Sequence, residues 1–196
     1  MPKQEGEVVM KCSVFIATSV DGYIATIEDG VEWLETSGKL DVDLGHQSDM
    51  GFNNFISSVD CIIMGRGCME KLASFNLKPD QWPYGKIRII ALSNSVKEVP
   101  DCLKDNVELY SGDISNLIID LERSGLKHAY VDGGATITSF LKAKLINNIT
   151  ITQVPILLGS GKSLFGNIPH HIKLSNAQAT VFANDFIQIK YEVSYL

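Results

Sequence analysis

The sequence predicts one α/β domain built on a mixed, mostly parallel sheet, with helices on both faces and a C-terminal antiparallel hairpin. Two observations carry this expectation. From residue 11 to the mid-140s, short apolar runs alternate with segments whose apolar side chains recur at helical spacing, the pattern of parallel strands joined by crossover helices. From residue 148 onward helical spacing disappears, and the last two runs are separated only by the turn Ala183-Asn184-Asp185, so they must pair antiparallel. A chain of 196 residues, 45% of them hydrophobic, suffices for one substantial core.

Taken in order, residues 1–10 are polar and acidic and read as a flexible lead-in, lacking the basic and apolar regions of a signal peptide. The domain itself is expected over 11–196. Residues 11–18 form an apolar strand that turns at Ser19-Val20-Asp21-Gly22 and resumes at Tyr23-Ile24-Ala25. Phe52, Phe55, Ile56 and Val59 give a helix with Ser48 as its N-cap and Asp49 in its first turn. Cys61-Ile62-Ile63-Met64 is a buried strand, and Met69, Leu72 and Ala73 suggest the helix after it. Residues 76–86 read as a loop, 87–92 and 107–110 as strands, and 114–123 as a helix stopped by Gly125. A strand at Ala129-Tyr130-Val131 breaks at Asp132-Gly133-Gly134-Ala135, and Ile137, Phe140, Leu141 and Leu145 mark the next helix. Strands then follow at 148–158, 177–182 and 186–191.

Composition excludes several classes of function. The net charge of −6 and the scattering of the basic residues give no footprint for nucleic acid. No apolar stretch is long enough to form a membrane-spanning helix. Cys12, Cys61, Cys68 and Cys102 lack the paired spacing of a zinc site and sit mostly in apolar runs, which predicts reduced thiols, a cytoplasmic location and no metal. His46, His128, His170 and His171 show no ligand-like spacing either.

The chemistry-bearing residues gather at strand ends, where parallel sheets bind ligands. After Met64, Gly65 lets backbone approach a ligand and Arg66 offers a fork of donors to a phosphate. Ser93-Asn94-Ser95 offers hydroxyls and an amide, and the run from Asp132 to Thr136 places two glycines at a helix start, an anion cradle of backbone N–H groups. Each of these also fits an ordinary strand-terminating turn. The run Gly159-Ser160-Gly161-Lys162-Ser163 is not a P-loop, since Ile156 stands where its first glycine belongs, and no GxGxxG follows the first strand. Asp49 falls on the helical stripe of residues 52, 53 and 56, which points it inward and predicts a raised pKa suited to proton transfer. Its other reading is an acid that complements the helix dipole.

Together these segments resemble the dihydrofolate reductase superfamily, in particular bacterial reductases related to the C-terminal domain of the riboflavin-biosynthesis bifunctional protein. The resemblance rests on the runs at 16–25, 59–66, 92–93, 130–135 and 154–161, with Leu164-Phe165, in that order. It implies a dihydrofolate reductase-like fold binding NADPH, with Ala17, Ile24 and Ala25 near the nicotinamide. It likewise implies Gly65, Arg66 and Ser93 near the adenosine phosphate, and Gly133, Gly134, Ala135 and Thr136 around the pyrophosphate. Asp49, fifteen residues before Met64, falls where dihydrofolate reductases keep their catalytic acid.

The implied activity is hydride transfer to a small heterocyclic or ribosylamino-pyrimidine-like substrate by a homodimer that uses its C-terminal strands at the interface. Three departures bear on the substrate. Asn53 replaces a pterin-packing phenylalanine, Ile87 lies near the position of the folate-binding arginine, and Gly67-Cys68 replaces polar residues after Arg66. These departures argue against folate and keep a second reading open, a nucleotide-binding protein without catalysis.

Overall fold

The fold comes from a computed structural model, which describes residues 10–196. Strands are β1 (Lys11–Ser19), β2 (Tyr23–Ala25), β3 (Cys61–Gly65), β4 (Arg88–Leu92), β5 (Val107–Tyr110), β6 (His128–Asp132), β7 (Asn148–Val154), β8 (Lys162–Ser163), β9 (Ile172–Val181) and β10 (Ile187–Tyr195). Helices are α1 (Trp33–Thr36), α2 (Phe52–Ile56), α3 (Arg66–Ser74), α4 (Ile114–Arg123) and α5 (Gly134–Lys142). Among these residues an eight-stranded sheet runs in the order β5-β4-β3-β6-β1-β7-β10-β9. Its pairs are parallel from β5 to β7, and β10 is antiparallel to both β7 and β9. The mixed sheet and the C-terminal antiparallel pair are those expected from the sequence.

Apolar side chains cover both faces of the parallel strands, which is why these strands read as continuous apolar runs. On one face Val14, Ile63 and Val131 pack against Leu121 of α4 and Ile137 and Phe140 of α5. On the other, Ile62, Met64 and Tyr130 pack with Ile56 of α2 and Met69 and Leu72 of α3. Helix α4 starts where Asp113 accepts the amides of Ser115 and Asn116 at 2.9 and 3.1 Å, and the chain leaves it through Gly125 at φ 89°.

Several boundaries differ from expectation. The lead-in at residues 1–9 lies outside the described residues, whereas Met10, grouped with it by sequence, is buried in the core at 1% exposure. Helix α2 is short, because Gly51 at φ 85° sets its start three residues beyond Ser48. β7 ends at Val154, before Pro155, and β9 begins five residues earlier than its apolar run. The segment after Gly161 returns to pair β8 with β2. Asp21 fixes this corner, its carboxylate accepting the Ser19 hydroxyl at 2.6 Å and the amides of Gly159 and Leu158 at 2.7 and 3.2 Å.

One topological detail creates the site. β1 and β6 pair only through Lys11↔His128, Cys12↔Ala129 and Ser13↔Tyr130, although β1 continues to Ser19 and β6 to Asp132. Beyond Ser13 the two strands part, and the sheet opens between them.

Candidate functional site

A cleft of about 870 Å³ lies at this opening, across the carboxyl ends of β1, β3, β4 and β6. That is where a parallel sheet exposes backbone to ligands. Ala17, Ile24, Ala25, Gly65, Arg66 and Ser93 line it, as do Gly133, Gly134, Ala135 and Thr136, so every expected cofactor-side residue falls in one cavity.

Backbone geometry explains much of this set. Successive residues of a parallel strand direct their N–H and C=O groups to alternate neighbours. Because Lys11 donates to Lys127 O on the β6 side and Cys12 O accepts from Asn147 on the β7 side, odd-numbered residues of β1 turn toward β6. Past the split, Ala17 therefore presents an amide and a carbonyl to the opening, a pair complementary to a planar carboxamide.

At the helix start, Gly133 has φ 91° and ψ 135°, and no side chain caps α5. The first intrahelical bond runs from Ile137 N to Gly133 O, leaving the amides of Gly134, Ala135 and Thr136 to face the cleft as unpaired donors. Both glycines are also demanded by packing. A Cβ on Gly133 would stand 2.5 Å from Cys68 Sγ, and one on Gly134 would stand 2.6 Å from Ser163 O. The turn reading and the cradle reading are thus both satisfied by the same two residues.

Arg66 is the first residue of α3, about half exposed, and its only ion pair is a loose 3.5 Å contact with Glu70 among the described residues. Its guanidinium is free to receive a phosphate. The Ser93 hydroxyl accepts the amide of Val96 at 2.9 Å, which shapes its loop and leaves its own proton available to donate. Ala17's open backbone, the uncapped α5, the glycine cradle and these two donors fit a dinucleotide carrying a carboxamide, a pyrophosphate and a further phosphate.

The same cleft is also lined by Cys68, Lys71, Leu72 and Phe75 in and just after α3, by Leu34 and Tyr84, and by Asp132 at the end of β6. Burial raises the pKa of the Asp132 carboxyl, although contacts from Tyr130, Cys68 and the Gly133 amide act in the opposite sense. Burial likewise raises Cys68, and it pushes Tyr84 to about 12 with the nearby Asp132 adding to the effect.

Asp49 requires correction. It does not line the cleft, and its carboxylate accepts the amide of Asn53 at 2.8 Å and that of Gly51 at 3.0 Å. These bonds, the one from Asn53 first, hold its pKa below the ordinary value rather than above it. Since α2 starts at Phe52, Asp49 precedes the helix, and the stripe argument fails. Asn53 and Ile87 also lie outside the cleft, so those departures do not reshape it. Asp132 was quoted in the sequence only as part of a glycine turn. The signal for its role was present, an acid at the last position of an apolar strand bordering the split.

The split sheet and its cleft define a domain of the dihydrofolate reductase-like class. Residues 11–188 match the family described as RibD C-terminal domain, and the chain belongs to that family. A protein of Shewanella sp. PV-4, named for riboflavin biosynthesis, is 37% identical, covers 95% of this chain and 100% of its own, and superposes with a TM-score of 0.83. Riboflavin biosynthesis reductase Rib7 of Saccharomyces cerevisiae shares the fold at 13% identity, 98% and 93% coverage and a TM-score of 0.60. The uncharacterized Bacillus subtilis protein YwjB is 26% identical over 166 residues, 84% of this chain and 87% of its own length. No helix among the described residues is long and apolar enough to cross a membrane.

Proposed function

We propose that this protein is an NADPH-dependent reductase that delivers hydride to a small heterocyclic substrate. The observation that carries the reading is the meeting, at one strand split, of an open Ala17 backbone edge and a carboxyl whose pKa burial raises. NADPH, when bound, supplies the hydride; everything else in the reaction falls to the chain. Ala17, flanked by Ile24 and Ala25, would orient the nicotinamide. The amides at the start of α5 would hold the pyrophosphate, while Arg66 and Ser93 would take the adenosine phosphate.

In the same cleft Leu72, Phe75 and Tyr84 offer apolar and aromatic surface for a planar ring, and Lys71 supplies a cation. Hydride addition to a C=N bond leaves a nitrogen that needs a proton, and Asp132 is positioned to give it. This role is assigned to Asp132 in place of Asp49. The four free cysteines agree with a cytoplasmic enzyme.

Calorimetric titration with NADPH and NADH tests the cofactor. Wild type should bind NADPH more tightly, and Arg66→Ala should weaken NADPH alone by about 1.5–3 kcal/mol, roughly tenfold to a hundredfold. Equal loss for both cofactors would remove Arg66 from the phosphate site. No binding of either cofactor would reduce the reading to fold alone, and binding without oxidation across an acceptor screen would favour the non-catalytic alternative.

A homodimer is part of the same proposal. β9 is ten residues long and has no strand beyond its outer edge among the described residues, an edge that another copy can extend. Leu174 and Val181 on it are 40% and 72% exposed. Sedimentation at micromolar concentration should return a dimer; a monomer there would remove this part of the proposal.

A further inference from the structure

Tyr130 is a fully buried phenol one pleat behind Asp132 on the same face of β6, and the proposed reaction leaves it without a task. Its hydroxyl lies 3.0 Å from Phe15 O and 3.3 Å from Asp132 Oδ1. A phenol has one proton and cannot donate to both. The choice between them follows from the strand split. Phe15 is an odd-numbered residue of β1, so its carbonyl turns toward β6, but the ladder has already ended at Ser13↔Tyr130. A backbone carbonyl that has lost its ladder partner takes another donor where one is in reach, and the Tyr130 hydroxyl stands 3.0 Å from it.

With that proton committed to Phe15, the phenol oxygen has only lone pairs left for Asp132. A hydroxyl donating to the carboxylate would lower the Asp132 pKa; one committed to Phe15 offers only lone pairs, and a carboxyl hydrogen is what makes the 3.3 Å contact attractive. We propose that Tyr130 is a positioning residue for Asp132, its Phe15-anchored hydroxyl accepting the carboxyl proton in a one-way chain from Asp132 through Tyr130 to Phe15 O. This inference rests on the reductase reading for its use, but the chain itself is a property of the free protein. It fixes which carboxyl oxygen carries the proton at rest. On transfer of that proton to substrate, the Tyr130 hydroxyl stays on Phe15, and the Cys68 thiol and the Gly133 amide are the donors that remain for the carboxylate.

The titratable groups facing Asp132 are Cys68 from α3, Tyr84 from the loop before β4, and Tyr130 from its own strand. Burial raises all three, so all are neutral across the working range and none supplies a competing charge.

Carbon-13 NMR of aspartate-labelled protein tests the chain without cofactor or substrate, with the Asp132 resonance assigned by its loss in Asp132→Asn. If Tyr130 accepts from the acid, Tyr130→Phe removes a partner of the protonated form, and the Asp132 titration moves to lower pH. If Tyr130 instead donates to the carboxylate, the same substitution moves the titration to higher pH, and the proposal is overturned; an unmoved titration overturns it as well. Should Tyr130→Phe fail to fold, the wild type decides. The Tyr130 Cζ resonance should shift in step with Asp132 as the phenol oxygen loses the carboxyl proton it accepts, and a signal flat through that titration sinks the idea. NADPH affinity should be unchanged in Tyr130→Phe, so a failure of wild type to bind NADPH would count against the reductase reading and not against the chain.

Discussion

The entry to α2 and the end of β6 each carry one aspartate, and the two regions drive the same side chain in opposite directions. Asp49 sits in an exposed turn, where the amides of Asn53 and Gly51 reward the charged form and lower its pKa. Asp132 sits at the floor of the cleft, where burial penalises the charged form and its best-placed neighbour, Tyr130, is committed to Phe15. Position along the chain does not separate them. What separates them is whether backbone donors or burial dominates, and only the second situation shifts the acid toward holding its proton.

The sharpest way to break this comparison is turnover. With an acceptor that supports NADPH oxidation, Asp132→Asn should lower the rate by about 10²–10⁴-fold, the usual worth of a positioned general acid. Asp49→Asn keeps an oxygen for one of the two amides, stands outside the cleft and should leave turnover unchanged. The reverse pattern would restore Asp49 as the catalytic acid and require α2 to move when substrate binds.

Much of the fold was legible in the sequence because both faces of the parallel strands are apolar and the crossover helices keep clear periodicity. Helix α4 was readable to the residue, since Asp113 and Gly125 cap it by local chemistry alone. All ten residues expected on the cofactor side line one cleft because strand ends and glycine turns are local features with a fixed place in a parallel sheet. Asp49 was misread because its placement depended on where α2 begins, and Gly51 in the left-handed region moved that start past it. Asp132 was under-read for a different reason. Its character comes from the parting of β1 and β6, a long-range register event to which no window of sequence corresponds, and the partners that bury it stand on α3 and in the loop around Tyr84. The same non-local geometry brings Lys71 and Phe75 to the cleft, residues on which no sequence signal falls.

The smaller test is the pH dependence of unfolding, where the two aspartates should pull with opposite sign. Between the ordinary carboxyl value and its raised folded value, Asp132 keeps a proton that the unfolded chain has released. Stability attributable to it therefore falls as pH rises through that window, by about 1.4 kcal/mol for each unit of separation. Urea unfolding of Asp132→Asn should lack this fall and leave the variant relatively more stable at alkaline pH. For Asp49 the folded value is the lower one, so its contribution is present above the ordinary carboxyl value and disappears as pH drops through the folded value. The group is solvent-exposed and screened, which limits its worth to that of a cap, about 1 kcal/mol lost in Asp49→Ala at neutral pH and nothing once the carboxyl is protonated in acid. If both variants instead tracked wild type at a constant offset across pH, neither carboxyl would be perturbed and the contrast between the two regions would disappear. If Asp49→Ala alone changed the slope, the cap would stand while Asp132 would be an ordinary ionised acid, and the proton for reduction would have to come from water reaching the cleft.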